Sequence, residues 1–244
     1  MTSVPWRQAR FAVVDVETTG LDPAVDSVLS VAVVPVDRGR IVVGSALYRT
    51  LRPAAPLRRE SILIHGIRPV EAAAADDPED VVDALVTAIR GRVLVAHVAR
   101  VERGFLAPLL ARRGLVVPRR VVDTDVLTRE VIRREEHRLV REPLPLSACA
   151  RLFGLPVHRM HHALGDALTA AQLLLAAATH LSPDGSWTTA RLARARTVPT
   201  VQQSHDLGLL VSVALELPLP PVETDQAAGT ADADVVHGAF AEEM

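Results

Sequence analysis

Val13-Val14-Asp15-Val16-Glu17-Thr18-Thr19-Gly20 sets two carboxylates two residues apart at the end of an apolar run that starts at Phe11. A β-strand alternates its side chains, so Asp15 and Glu17 point to one face. Neighbouring carboxylates repel unless a cation holds them. The plainer reading of the pair alone is two solvated acids at a strand end. Working outward, residues 28–36 and 40–51 are β-branched runs joined by Asp37-Arg38-Gly39, which predicts a hairpin. Pro35 is expected at a strand end or bulge. Pro78-Glu79-Asp80 opens a helix to about residue 90, followed by a short strand over 92–96 and a helix over about 99–113 closed by Gly114. A brief strand over 120–122 precedes Asp123-Thr124, a helix cap. A short helix over 147–153 ends at Gly154, and residues 163–181 form a long helix rich in alanine and leucine. Strands with a hairpin first, then strands alternating with helices, predict an α/β fold: a mixed sheet flanked by helices.

Composition narrows the chemistry. The 244 residues are 49% hydrophobic and 23% charged, enough apolar chain for a full core. All 27 basic residues are arginine, which removes the Gly-Lys phosphate loop and every lysine Schiff-base mechanism. The single Cys149 excludes an intrachain disulfide framework and paired-cysteine zinc sites. No signal core opens the chain, and no stretch reaches the ~18 uninterrupted apolar residues of a membrane span, so a cytoplasmic protein is expected. Residues 1–182 carry 24 arginines against 20 acids, and residues 183–244 carry 3 against 9. A basic body with an acidic extension is compatible with a nucleic-acid partner. The expected organisation is one domain over 1–182 and a C-terminal extension over 183–244. Within the extension, 187–196 and 207–217 have some order and 218–244 are disordered.

Two further stretches carry chemistry. His161-His162-Ala163-Leu164-Gly165-Asp166 has a histidine in a loop and an aspartate in the first turns of a helix. Alone, this is equally a helix start whose acid suits the dipole. His97-Val98-Ala99-Arg100-Val101-Glu102 puts an acid on a helix after a strand, and helix-surface glutamates are common. A zinc site from His158, His161, His162 and Asp166 lacks the His-Glu-x-x-His or paired-cysteine spacing. No serine sits in a nucleophile elbow.

Taken in order, these stretches resemble the DnaQ-like (DEDDh) 3′–5′ exonucleases, proofreading-type enzymes of the DNA polymerase III epsilon kind, over about residues 8–182. The resemblance rests on Asp15-x-Glu17-Thr18-Thr19-Gly20-Leu21, Ile64-His65-Gly66-Ile67, Asp123-Thr124 and His161-x-Ala163-Leu164-x-Asp166-Ala167. It implies a ribonuclease H-like fold with a five-stranded mixed sheet and helices on both sides. It also implies hydrolysis with two Mg2+ or Mn2+ ions ~4 Å apart. Asp15 would bridge the ions, Glu17 and Asp166 would bind the nucleophile-side ion, and Glu102 would serve the leaving-group side. His161 would act as general base, its ordinary pKa being near ~6.5. His162 is expected to face away. Backbone around Thr18, Thr19 and Gly20, with Leu21 and His65, would bind the terminal nucleotide of single-stranded DNA, with RNA as the other candidate. Seven aromatic residues provide no long stacking platform, so only a few 3′-terminal nucleotides should be recognised.

The chain departs from the family at the second stretch, where the usual His-Asn-Ala-x-Phe-Asp has Val98 for asparagine and Glu102 for aspartate. The alternative function is therefore a catalytically weakened module that binds nucleic-acid ends or a partner. Residues 183–244 would suit attachment to a polymerase.

Overall fold

The computed structural model describes residues 3–195. Strands β1 (Arg10–Thr18) and β2 (Val28–Asp37) form the long antiparallel centre of a sheet, with Asp15 opposite Ala32 and Glu17 opposite Ser30. The register shifts between Glu17 and Thr18, a bulge that ends regular pairing at the second acid. Asp37 and Arg40 close a two-residue hairpin through Arg38 and Gly39, both at positive φ (52° and 75°).

The outer strand is not continuous over 40–51 as expected. It consists of β3 (Arg40–Ile41) and β4 (Leu47–Thr50), both antiparallel to β2 and separated by a 3-10 turn at Val43–Ser45. Pro35, inside β2, faces the break. It has no N–H for a ladder, and its carbonyl accepts from Val42 N at 2.9 Å. On the other side of β1, β5 (Val93–Ala96) and then β6 (Val122–Asp123) add in parallel. Six strands thus fill five positions, the ribonuclease H-like mixed sheet.

Between β4 and β5 the chain makes α1 (Arg59–His65), α2 (Pro69–Ala73) and α3 (Pro78–Ile89). Then follow α4 (Arg100–Ala111), α5 (Thr124–Glu135), α6 (Leu146–Leu152), α7 (Ala163–Leu181) and α8 (Thr189–Leu192). Alternation along β1 decides which helices lie on which face. Phe11 and Val13 pack with Leu127 and Val131 of α5 and with the alanine face of α7. Ala12 and Val14 pack with Val81, Val82 and Leu85 of α3 and with Phe105 and Leu106 of α4. Small alanines let α7 lie close against β1 and β2. By length and composition α7 could cross a membrane, but half of its apolar window is buried in this core.

Residues 183–195 continue the packed body. Trp6 N donates to Trp187 O at 2.9 Å, Thr189 N donates to Val4 O at 2.9 Å, and Trp6, Trp187 and Leu192 share the α7-side core. The expectations for 207–217 and 218–244 lie outside the described residues.

Candidate active site

Asp15 and Glu17 extend the row begun by Phe11 and Val13 past the apolar floor, toward the start of α7. The first turn of α7 brings Asp166 to them. One carboxylate oxygen from each of the three lies within 4.8 Å of the others, and each side chain is half-buried. Burial, and then the charges of Glu17, Asp166 and Glu102, push Asp15 well above the usual carboxylate range. Burial and Asp166 raise Glu17 to about 8. Burial raises Asp166 to about 6, against the opposing pull of the His161 and His162 N–H groups. Such crowding stores repulsion that a cation would relieve.

Glu102 arrives from the opposite face, in the first turn of α4. It is buried (6% exposed), its burial raises its pKa, and its Oε2 has no hydrogen-bond partner. Its charge acts on Asp15, but it lies outside the tight group of three. The approach to α4 is held by Asp123, whose carboxylate accepts from Val98 N (3.1 Å), Ala99 N (2.9 Å) and Asp125 N (3.0 Å). Val98 adopts the left-handed conformation (φ 57°), where a β-branched residue is strained. His97 spans Thr124 Oγ1 (2.9 Å) and Leu144 O (2.8 Å). The carbonyl can only accept, so Nε2 carries the proton, and the ring anchors the 136–145 loop.

His161 is also left-handed (φ 54°), and its N–H donates to Asp166 Oδ2 at 2.8 Å. Partial desolvation of its ring holds its pKa below the usual value, so it is neutral at pH 7. His162 faces away and stacks on Tyr48 of β4 (centroids 4.7 Å apart, 19° between planes). The loop is seated on Gly165, where a Cβ would overlap the Arg159 carbonyl. His65, buried at the end of α1, accepts Ile67 N–H at Nδ1 (2.9 Å), which leaves a buried Nε2–H without a partner. Its pKa is lowered by burial and then by His161. Thr19 is committed to its own loop: its N–H donates to Ser27 O, its hydroxyl to Asp26, and Ser27 N donates to that hydroxyl. Thr18, Gly20 and Leu21 are half-buried at the rim. Among the described residues, the zinc grouping of His158 with the tandem histidines does not form. His158 meets Gln172 at 3.2 Å, and the cluster that forms is Asp15, Glu17 and Asp166.

The exonuclease family RNase_T matches residues 12–174, a span that holds every one of these side chains. The chain belongs to the RNase_T exonuclease family. Among curated relatives, the DNA polymerase III PolC-type protein of Thermotoga petrophila is 29% identical over 171 residues, 70% of this chain and 12% of that one. The DNA polymerase III subunit epsilon-like protein of Rhodobacter capsulatus is 30% identical over 72% of this chain and 24% of its own length. This exonuclease chain therefore spans only a small part of those proteins. Among solved structures, Escherichia coli exonuclease I in its zinc-bound complex with single-stranded DNA shares the fold (TM-score 0.62, 17% identity, 73% of this chain, 42% of that one). Exonuclease X with 5′-overhanging duplex DNA also shares it (TM-score 0.57, 24% identity, 76% and 97%).

Three supports of this candidate site were not legible in the sequence. Asp123 was legible as a helix cap, but not as the anchor of the turn that delivers Glu102. Tyr48, alone on its strand, gave no signal. Gly165 occupied a variable position of its motif, and only the close approach of the Arg159 backbone explains it.

Proposed function

We propose that this chain is a metal-dependent 3′–5′ exonuclease that releases nucleoside 5′-monophosphates from nucleic-acid ends. The observation that carries this reading is the convergence of Asp15, Glu17 and Asp166 from a strand and a distant helix. An all-carboxylate donor set suits Mg2+ or Mn2+, and the orphaned Glu102 Oε2 is a further acceptor on a side chain whose charge acts on Asp15. Asp15 would be shared by two ions, Glu17 and Asp166 would hold the nucleophile-side ion, and Glu102 would serve the leaving-group side. When bound, the ions would stabilise charge developing on the phosphate and acidify water.

The chain's own residues do the rest. His161, neutral at pH 7, accepts a proton from water as the water oxygen bonds to the terminal phosphorus. The bond from phosphorus to the penultimate 3′ oxygen breaks, and that oxygen leaves with the shortened strand as a hydroxyl, taking a proton from solvent while His161 returns its proton to solvent. The rim at Thr18, Gly20 and Leu21, and the free Nε2–H of His65, would hold the last nucleotide. Thr19 would act through the shape of the loop.

Single-stranded DNA is the first substrate to try, because exonuclease I binds it, and RNA is the second. The PolC-type relatives motivate a polymerase partner, attached through residues 183–244, and a cytoplasmic location. The test is release of label from 3′-labelled DNA and RNA by the full chain with Mg2+ or Mn2+. Mononucleotide release by wild type and none by Asp15→Asn is expected. Equal release by both overturns the assignment. The strained Val98 and the outlying Glu102 favour one second reading, an end-binding module with weak turnover. Binding of labelled ends without release, restored to cleavage by Glu102→Asp, would select it.

A further inference from the structure

The end of the body remote from the acid cluster carries a cleft of about 800 Å³ between the last turns of α5 and the Trp187–α8 segment. Both α5 and α7 start beside the site and finish at this end, where His180 meets Glu135 at 2.8 Å, and α7 alone is ~28 Å long. The cleft is strongly basic. Glu130 pairs with Arg133 and Arg134, both at 2.7 Å, and so offsets one of them. Arg191 and Arg194 form no ion pair among the described residues, which leaves three surplus positive charges. The guanidiniums of Arg134 and Arg191 lie 4.7 and 4.0 Å from the Trp187 ring centroid, and the ring is 7% exposed. A nucleobase therefore finds no open aromatic face here, whereas carboxylates can meet the exposed guanidinium edges.

Ala195, the last described residue, lines this cleft, so the remaining chain departs from its rim. Residues 196–244 contain eight acids and one basic residue, Arg196. Four of the acids, Glu223, Asp225, Asp232 and Asp234, fall within twelve residues.

We propose that residues 223–234 fold back into this cleft and set their carboxylates against Arg191, Arg194 and the Arg133–Arg134 pair. Reach permits it: 27 residues intervene, and a random coil of that length would span ~30 Å root-mean-square. Tethering gives the segment an effective concentration of order millimolar, above that of most free anions. Docking would hold the extension at the base of the domain, away from the path of a nucleic acid entering the site.

The test is amide hydrogen exchange of the full chain at low and high salt. It compares wild type, the four-acid variant Glu223→Gln/Asp225→Asn/Asp232→Asn/Asp234→Asn, and Arg191→Gln/Arg194→Gln. Docking predicts that exchange at 130–134 and 188–195 rises roughly fivefold in both variants and in wild-type protein at high salt. The acid variant substitutes none of residues 3–195, so its result does not depend on α8 tolerating substitution. Identical exchange in wild type and the acid variant overturns the proposal. So does protection that appears only when an oligothymidylate or a separate acidic peptide is added, since the cleft would then serve an outside anion.

Discussion

Gly165→Ala tests whether the seat of the His161 loop sets the geometry of the site. Gly165 lies in the first turn of α7, where alanine would ordinarily stabilise a helix by ~1 kcal/mol over glycine. Here a Cβ would overlap the Arg159 carbonyl oxygen and lie 3.0 Å from the carbonyl carbon and 3.1 Å from the Arg159 nitrogen. Carbon atoms pack at ~3.5–4.0 Å and the overlapped oxygen is nearer than the carbonyl carbon, so the loop must withdraw by about 1 Å or more. The obstacle is backbone, which cannot rotate aside as a side chain can. Overpacking of this kind costs ~1–3 kcal/mol, and the upper half of that range outweighs the propensity gain. Melting should drop by a few degrees, at ~2–4 °C per kcal/mol for a chain of this size. Withdrawal also pulls the His161 N–H from Asp166 Oδ2 and moves the base, and a 1 Å misplacement of a catalytic group lowers rates by ~10²-fold. Thermal melts and mononucleotide release from 3′-labelled DNA measure the two effects together. A variant that melts higher than wild type and cleaves at the wild-type rate would refute the reasoning, because propensity would then have won over contact.

The acid cluster predicts a pH dependence in metal-free protein. Glu17 is raised to about 8 from an ordinary 4.5, so the folded state binds its proton more tightly than the unfolded chain does. Stability should therefore fall as pH rises from about 4.5 to about 8, and Mg2+ should flatten the loss. A melting temperature that climbs over that interval without metal contradicts the sign. Tyr48→Ala removes the His162 stack and should slow cleavage about tenfold through the displaced His161 loop, while Tyr48→Phe keeps the rate. Equal rates in the two variants would show that the stack positions nothing. Val98→Asn places a residue that tolerates the left-handed region at φ 57°, and should raise stability by ~1 kcal/mol, read as a melting temperature ~2–4 °C higher. An unchanged or lower value would show that the left-handed position of Val98 holds no strain that asparagine relieves.

Much of the molecule is written in local pattern. Period-two alternation from Phe11 to Glu17 assigns the two acids to one face, and the same alternation sends Ala12 and Val14 to the other core. The alanine-rich run over 163–181 declares a closely packed helix, and Asp37-Arg38-Gly39 declares the hairpin turn. These features depend on neighbours a few residues apart, so the sequence carries them unaided. What needed tertiary structure is whatever joins distant segments. The outer strand breaks because Pro35 of β2 faces it, a cross-strand fact invisible within residues 40–51. Trp187 and Leu192 become core because Trp6 returns to meet them. Asp123 reads as a helix cap and proves also to hold the turn before Glu102. The composition of the acid set was legible, but its shape was not. The placement of α7 and α4 on opposite faces of the sheet draws Asp166 to within 4.8 Å of Asp15 and Glu17 and leaves Glu102 buried just outside them, because a carboxylate's position is set by the packing of the element that carries it.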